Sequence, residues 1–257
     1  MTKKLFNIDT IMKAYFLFII GCFLFSQNSF CQKFKKPIDY RFKNGEIGYS
    51  AFFSKSIFYP EASVKAGSIG NSITRVSINP KGEINGIDII NPIDTSIDNM
   101  ILRAIDQSRN YWRKCDSISH DQKFFIQISF SLPGFYPIIF KPKTRALVAL
   151  FPDPIRVTLP EPLLATLSKE NEGRIWAVKN EELTEKANKY LDSAKYEEVL
   201  PYINELIKRD PFTRELYKAR IMINIKLNKP ELVSSDDDKI SDFAEGFSIN
   251  EINKDQE

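Results

Sequence analysis

Between residues 124 and 132 the chain alternates without a break. Phe124, Ile126, Ile128, Phe130 and Leu132 fall on one parity, and Phe125, Gln127, Ser129 and Ser131 on the other. A period of two belongs to a β-strand, with the first set turned into a core and the second turned outward. Pro133 and Gly134 stop it. Upstream, residues 72–78 and 84–90 are two β-rich runs around Asn79-Pro80-Lys81-Gly82-Glu83, which reads as a hairpin with Gly82 at positive φ.

Between hairpin and strand the period changes. Ile97, Met100, Ile101, Ala104, Ile105 and Ser108 are spaced as one face of a helix, with Thr95 and Asp98 as a capping box and an end near residues 109–112. The expected core is Val76, Ile78, Ile87, Ile89, Ile101 and Ile105. Residues 32–57 lack periodicity and read as an irregular lead-in. Residues 133–180 open with seven of the 14 prolines before position 163, which excludes a regular helix or central strand and leaves a Pro-rich linker or cover. Residues 181–233 return to a helical pattern of at least three short helices. The last stretch, 234–257, carries eight acids against two lysines and reads as a solvated, disordered tail.

Lys3, Lys4 and Lys13 precede an uncharged run of 12 residues, 14–25, and Ser29-Phe30-Cys31 places a small residue before a cut. A membrane span needs about 20 apolar residues, so residues 1–31 read as a cleaved signal peptide and the mature chain as periplasmic. The competing reading is a lipid on Cys22, since Ile19-Ile20-Gly21-Cys22 resembles a lipobox; membrane contact then follows only from that lipid or from an uncleaved N-terminus. Cleavage after Cys31 leaves Cys115 as the one cysteine, so no internal disulfide supports the fold.

Chemistry finds few carriers. A net charge of +3 gives no basic excess for a phosphate backbone, so nucleic acid is not an expected partner. His120 is the single histidine, which excludes a multi-histidine metal site. Cys115 lies five residues before it, but sequence neighbours do not make a Cys-His pair without spatial closeness and an orienting third group. A hydrolase using Cys115 and His120 is therefore the third-ranked reading. Asp236-Asp237-Asp238 lacks the alternating ligands of a calcium loop and reads as part of the solvated tail. Gly67 and Gly70 precede a strand rather than a helix N-terminus, so they are turn residues and not a phosphate cradle. Phe124, Phe125 and Phe130 read as core. No catalytic residue, metal or cofactor is assigned.

Tyr59-Pro60-Glu61, Gly67, Gly70, Val76-Ser77-Ile78, Gly82-Glu83-Ile84, Ile87-Asp88-Ile89 and Ile97-Asp98, in that order, resemble the TonB C-terminal domain family over residues 58–132. Ser72 and Thr74 depart from it, standing where the family has apolar residues. Tyr190, Ala194, Tyr196-Glu197-Glu198, Ile203, Leu206 and Asp210-Pro211 resemble one tetratricopeptide repeat. One such repeat cannot bury its own apolar face and must lean on the first domain or the Pro-rich stretch. The resemblances imply an α+β fold, a small antiparallel sheet with packed helices, plus a short all-α helical-repeat segment. They also imply a non-enzymatic envelope scaffold whose last strand, at the sheet edge, captures a partner strand beside Phe125, Gln127, Ser129 and Ser131; the competing reading is that residues 133–162, which follow at once and are themselves apolar, cover this edge. The partner class is an envelope protein such as an outer-membrane transporter. The alternative is a membrane-anchored TonB-type energy transducer.

Overall fold

The computed structural model describes residues 36–132, 137, 149–159 and 178–239. The signal-peptide reading, Cys22, Cys31 and the tail beyond 239 lie outside the described residues. The described residues form one compact unit of mixed α+β architecture.

Strands β1 (Gly70–Ile78) and β2 (Ile84–Asn91) form the expected antiparallel hairpin. Asn79 organises its turn: its Oδ1 accepts the Glu83 N–H at 2.9 Å, its Nδ2 donates to the Glu83 carboxylate at 2.7 Å, and its carbonyl accepts the Gly82 N–H at 3.0 Å. Gly82 takes φ +90°, and a Cβ there would lie 2.9 Å from the Trp112 carbonyl oxygen. Conformation and space both require glycine.

Strand β3 (Gln122–Ser131) pairs antiparallel with β1, and β4 (Ile155–Thr158) pairs parallel with β3, giving the order β2-β1-β3-β4. The β4 residues come from the Pro-rich segment, which therefore acts as a cover in this stretch.

Helices α1 (Pro37–Arg41), α2 (Gly45–Ser56), α3 (Glu61–Ala66) and α4 (Thr95–Gln107) accompany one face of the sheet. Here Val76, Ile78, Phe124, Ile126 and Ile128 meet Ile97, Ile101 and Ile105 in one apolar cluster. Val76, Ile78, Ile101 and Ile105 are buried as expected; Ile87 and Ile89 are half-buried because β2 is a terminal strand. The lead-in is not irregular. Phe42, Tyr49 and Phe53 are fully buried, and Phe42 meets Trp112 edge-on at 5.0 Å between ring centroids. Ser72 and Thr74 are buried with unpaired hydroxyls, a cost an apolar residue would avoid.

The cap of α4 lies one residue earlier than Thr95. Asp94 accepts the Ile97 N–H at 2.9 Å and the Ser63 hydroxyl at 2.9 Å, while Asp98 reaches back to the Ile93 N–H at 3.1 Å. Burial pushes Asp94 upward, but these hydrogen bonds outweigh it and hold the carboxyl below its ordinary value. Asp98 differs: burial, opposed by the Ile93 N–H and reinforced by Asp94, pushes it up from 3.8 to about 6. Between those values the native state binds a proton that the unfolded state has released, so this group favours folding below pH 3.8 and loses that favour as pH rises through about 6. Asp98 is half-exposed, so solvent screening reduces the effect to about 1 kcal/mol. Asp98→Asn, whose Oδ1 still accepts from Ile93, should gain about that much at neutral pH. Thermal midpoints of both proteins between pH 4 and pH 7 check it; parallel curves would refute it.

Helices α5 (Asn180–Asp192), α6 (Tyr196–Arg209) and α7 (Arg214–Lys226) cover the other face. Ile73 and Ile90 of the sheet, with Phe125 and Phe151, join Val199, Ile203 and Ile207 in a second cluster. The helical segment thus leans on the first domain and on the Pro-rich stretch together. Polar contacts fix the docking: Asn71 Nδ2 donates to the Arg209 carbonyl at 2.8 Å, and Asn91 Nδ2, which also donates to the Asn71 carbonyl at 2.6 Å, reaches the Ile207 carbonyl at 3.4 Å. Gly70, at φ +148°, sits so close that a Cβ would lie 2.7 Å from the Lys208 carbonyl oxygen. Helix α8 (Val233–Lys239) occupies the start of the expected disordered tail, because Asp236 is buried against Arg220 and accepts from Nε at 2.7 Å and Nη2 at 2.6 Å. No helix among the described residues is long and apolar enough to cross a membrane.

Candidate functional site at the sheet edges

The four residues expected on the outward face of an edge strand, Phe125, Gln127, Ser129 and Ser131, all lie on β3, and all are between 1% and 5% exposed. Phe125 stacks on Phe151 with centroids 5.0 Å apart. Gln127 Nε2 donates to Asn71 Oδ1 at 3.2 Å, which ties it into the contacts that dock α6. Ser129 stands between Asn71 of β1 and Arg156 of β4, and the Ser131 hydroxyl lies 3.0 Å from that of Thr158.

β3 is therefore not an edge strand. β4 occupies its outer side over residues 128–131, and the Leu159 N–H extends the pairing to the Ser131 carbonyl at 3.0 Å. Of the two expectations for this edge, open to a partner or covered by residues 133–162, the second is found: the open edge at Ser129 and Ser131 is replaced by this short parallel strand. β4 is itself tied down, since the Glu46 carboxylate of α2 accepts the Asp153 N–H at 3.0 Å and Lys36 bridges Glu46 and Asp153 at 2.7 and 3.0 Å. Burial opposes the charge on Lys36, but its two carboxylate partners raise its pKa above the ordinary value.

Among the described residues two strands pair on one side only, β4 with four residues and β2 with eight, and β2 is the longer edge. Its ends are engaged: Arg109 Nη1 donates to the Ile84 carbonyl at 3.3 Å, and Asn91 Nδ2 donates to the Asn71 carbonyl. Between them Asn85 and Asp88 are exposed, and Asp88 accepts from Arg75 of β1 at 2.8 Å. Gly86, Ile87 and Ile89 are half-buried, so this stretch offers backbone groups flanked by alternating side chains. The signal for this edge was in the sequence, in a strand that carries Asn85, Gly86 and Asp88 among its isoleucines. Polar residues and glycine are what terminal strands tolerate.

Cys115 and His120 do not form a pair. The Cys115 Sγ lies 3.2 Å from the Ser117 hydroxyl, His120 is exposed, and no hydrogen bond joins Cys115 to His120. Asp236 and Asp237 belong to no metal-sized cluster, since no group of three or more His, Cys, Asp or Glu residues converges among the described residues. Gly67 closes α3 at φ +66° and Gly70 accommodates α6, so both act as backbone devices.

No family model, curated protein or solved structure matches this chain.

Proposed function

We propose that the chain is a non-enzymatic protein-binding or scaffold protein of the cell envelope, and that the strand it offers to an extended segment of a partner is β2. One observation carries the reading: β2 ends the sheet, while β3 is enclosed between β1 and β4. Strand addition draws affinity from main-chain hydrogen bonds and specificity from alternate side chains, and residues 86–89 present both. The order of turn, strand and helix signals that resembles the TonB C-terminal domain supports the class. The uncharged N-terminal run supports the envelope.

Adjacent residues of a strand point their N–H groups to opposite sides. Of Asp88→Pro and Ile89→Pro, one therefore removes an outward donor and spares the ladder to β1, and that one should stay folded. The folded variant is expected to lose at least tenfold in affinity for a partner captured from envelope extracts by the tagged chain, a loss of about 1.4 kcal/mol. Asp88→Ala should bind as the parent does. Amide exchange on the complex should show new protection at residues 86–89. A folded proline variant that binds with unchanged affinity would exclude β2 as the site.

A further inference from the structure

Arg41 closes α1 with its side chain fully buried, and a guanidinium stays charged at every working pH. Its Nη2 donates to the Asn79 carbonyl at 2.5 Å, while Nε and Nη1 have no hydrogen-bond partner. Among the described residues no carboxylate pairs with it. A buried cation against one neutral acceptor is unfavourable, so its environment calls for an anion.

The chain brings one candidate to it. The Pro80 carbonyl, next to the one that holds Arg41, accepts the Cys115 N–H at 2.8 Å, and the Arg113 N–H returns to the Arg41 carbonyl at 2.7 Å. These bonds bring Cys115 to the same turn as the guanidinium, near enough for its charge to act on the thiol. Ser117 then turns back on the same sulfur, with its hydroxyl at 3.2 Å. The Ser117 hydroxyl, the Ser117 amide and Arg41 together hold the thiol below its ordinary range against the opposing effect of burial. Neighbouring charges do not cancel Arg41: Lys114 and Asp116 pair with each other at 2.9 Å, and the Glu83 carboxylate is engaged by Asn79. Cys115 is partly exposed, so solutes reach the sulfur while the cation behind it is sealed.

We propose that Cys115 is a thiol-exchange site whose thiolate, backed by Arg41 and Ser117, attacks small-molecule disulfides. A bond forms between Cys115 Sγ and one sulfur of the disulfide as the disulfide's own S–S bond breaks. The displaced half leaves as a thiolate; the protein sulfur is oxidised and the leaving sulfur reduced, with no further reagent.

The test uses the full chain with Cys22→Ser and Cys31→Ser, so that Cys115 is the thiol observed. Dipyridyl disulfide is the probe, because it is uncharged near neutrality and releases an absorbing thione. The rate against pH should rise with a midpoint below the ordinary thiol value of about 8.5, and mass analysis should place the adduct on Cys115. Ser117→Ala and Arg41→Met should each move the midpoint upward and slow the reaction near neutral pH by about threefold or more. Lys114→Ala should leave the profile in place. Should Arg41→Met fail to fold, the parent midpoint and the Ser117→Ala shift decide the matter. A parent midpoint at or above 8.5, or one that Ser117→Ala leaves unmoved, would overturn the proposal.

Discussion

Ser129→Pro is expected to lower the stability of the isolated protein by about 3 kcal/mol or more, the cost of proline inside a regular hydrogen-bonded element. Ser129 lies in the middle of β3, opposite Asn71 of β1 and Arg156 of β4, so its N–H points into a ladder on whichever side it faces. No side of this strand tolerates the loss. The pyrrolidine ring would also intrude where Asn71 docks the Arg209 carbonyl, so the α6 contact should loosen with the sheet. In urea the midpoint should fall by about 1 M or more, taking a slope of about 1–3 kcal/mol per M. Ser129→Ala keeps the backbone donor and should change little. An unchanged midpoint for Ser129→Pro would mean that β4 does not hold this edge, and that strand addition at β3 is again open.

Sequence alone leaves two results open at this residue: loss of a partner with modest loss of stability if the edge is free, or loss of stability if residues 133–162 cover it. The difference shows where sequence reasoning stops. Alternation over residues 124–132 identifies a strand and its better-packed face, and both are found. It cannot distinguish an outward face in water from one covered by a second layer, because Gln127, Ser129 and Ser131 look solvent-adapted in either case. Here they are buried at a polar seam, where Gln127, Asn71 and Asn91 meet each other and the carbonyls of α6. β4 was illegible for a related reason. Ile155, Arg156, Val157 and Thr158 alternate, but four residues just after Pro154 are too few to mark a strand, and their pairing depends on a parallel contact across a long connection.

Local signals fared according to how local they were. The hairpin, Gly82 and the apolar face of α4 depend on near neighbours and were read correctly. Helix α2 was missed because its apolar residues surround the axis: Tyr49 and Phe53 are buried while Ile47 is 83% exposed, so no stripe marks the core side. The α4 cap was read one residue late because Asp94 and Thr95 are both good caps, and only the Ser63 contact distinguishes Asp94. The open edge at β2 was missed because Asn85, Gly86 and Asp88 mark a terminal strand only once the strand order of the assembled sheet is known.

Ile101→Ala is the sharper test of the sheet–helix packing. Ile101 is fully buried in α4 among Val76, Phe124 and Ile126, so removing its outer carbons leaves a cavity that the sheet cannot close without moving a strand held on both sides. Such truncations cost about 2–5 kcal/mol. For a chain of this size each kcal/mol corresponds to about 2–4 °C, so calorimetry should show a midpoint lowered by about 5–15 °C. Asn99 lies on the exposed side of the same helix, where alanine is the better helix former, and Asn99→Ala should stay within about 0.5 kcal/mol of the parent. The pair isolates burial, because both substitutions end in the same residue on the same helix. Equal, small effects would mean that α4 does not present Ile101 to the sheet. A large loss at Ile101 alone, with Ser129→Pro also destabilising, would tie α4, β1, β3 and β4 into one cooperative unit and leave β2 as the longer terminal strand with backbone to offer.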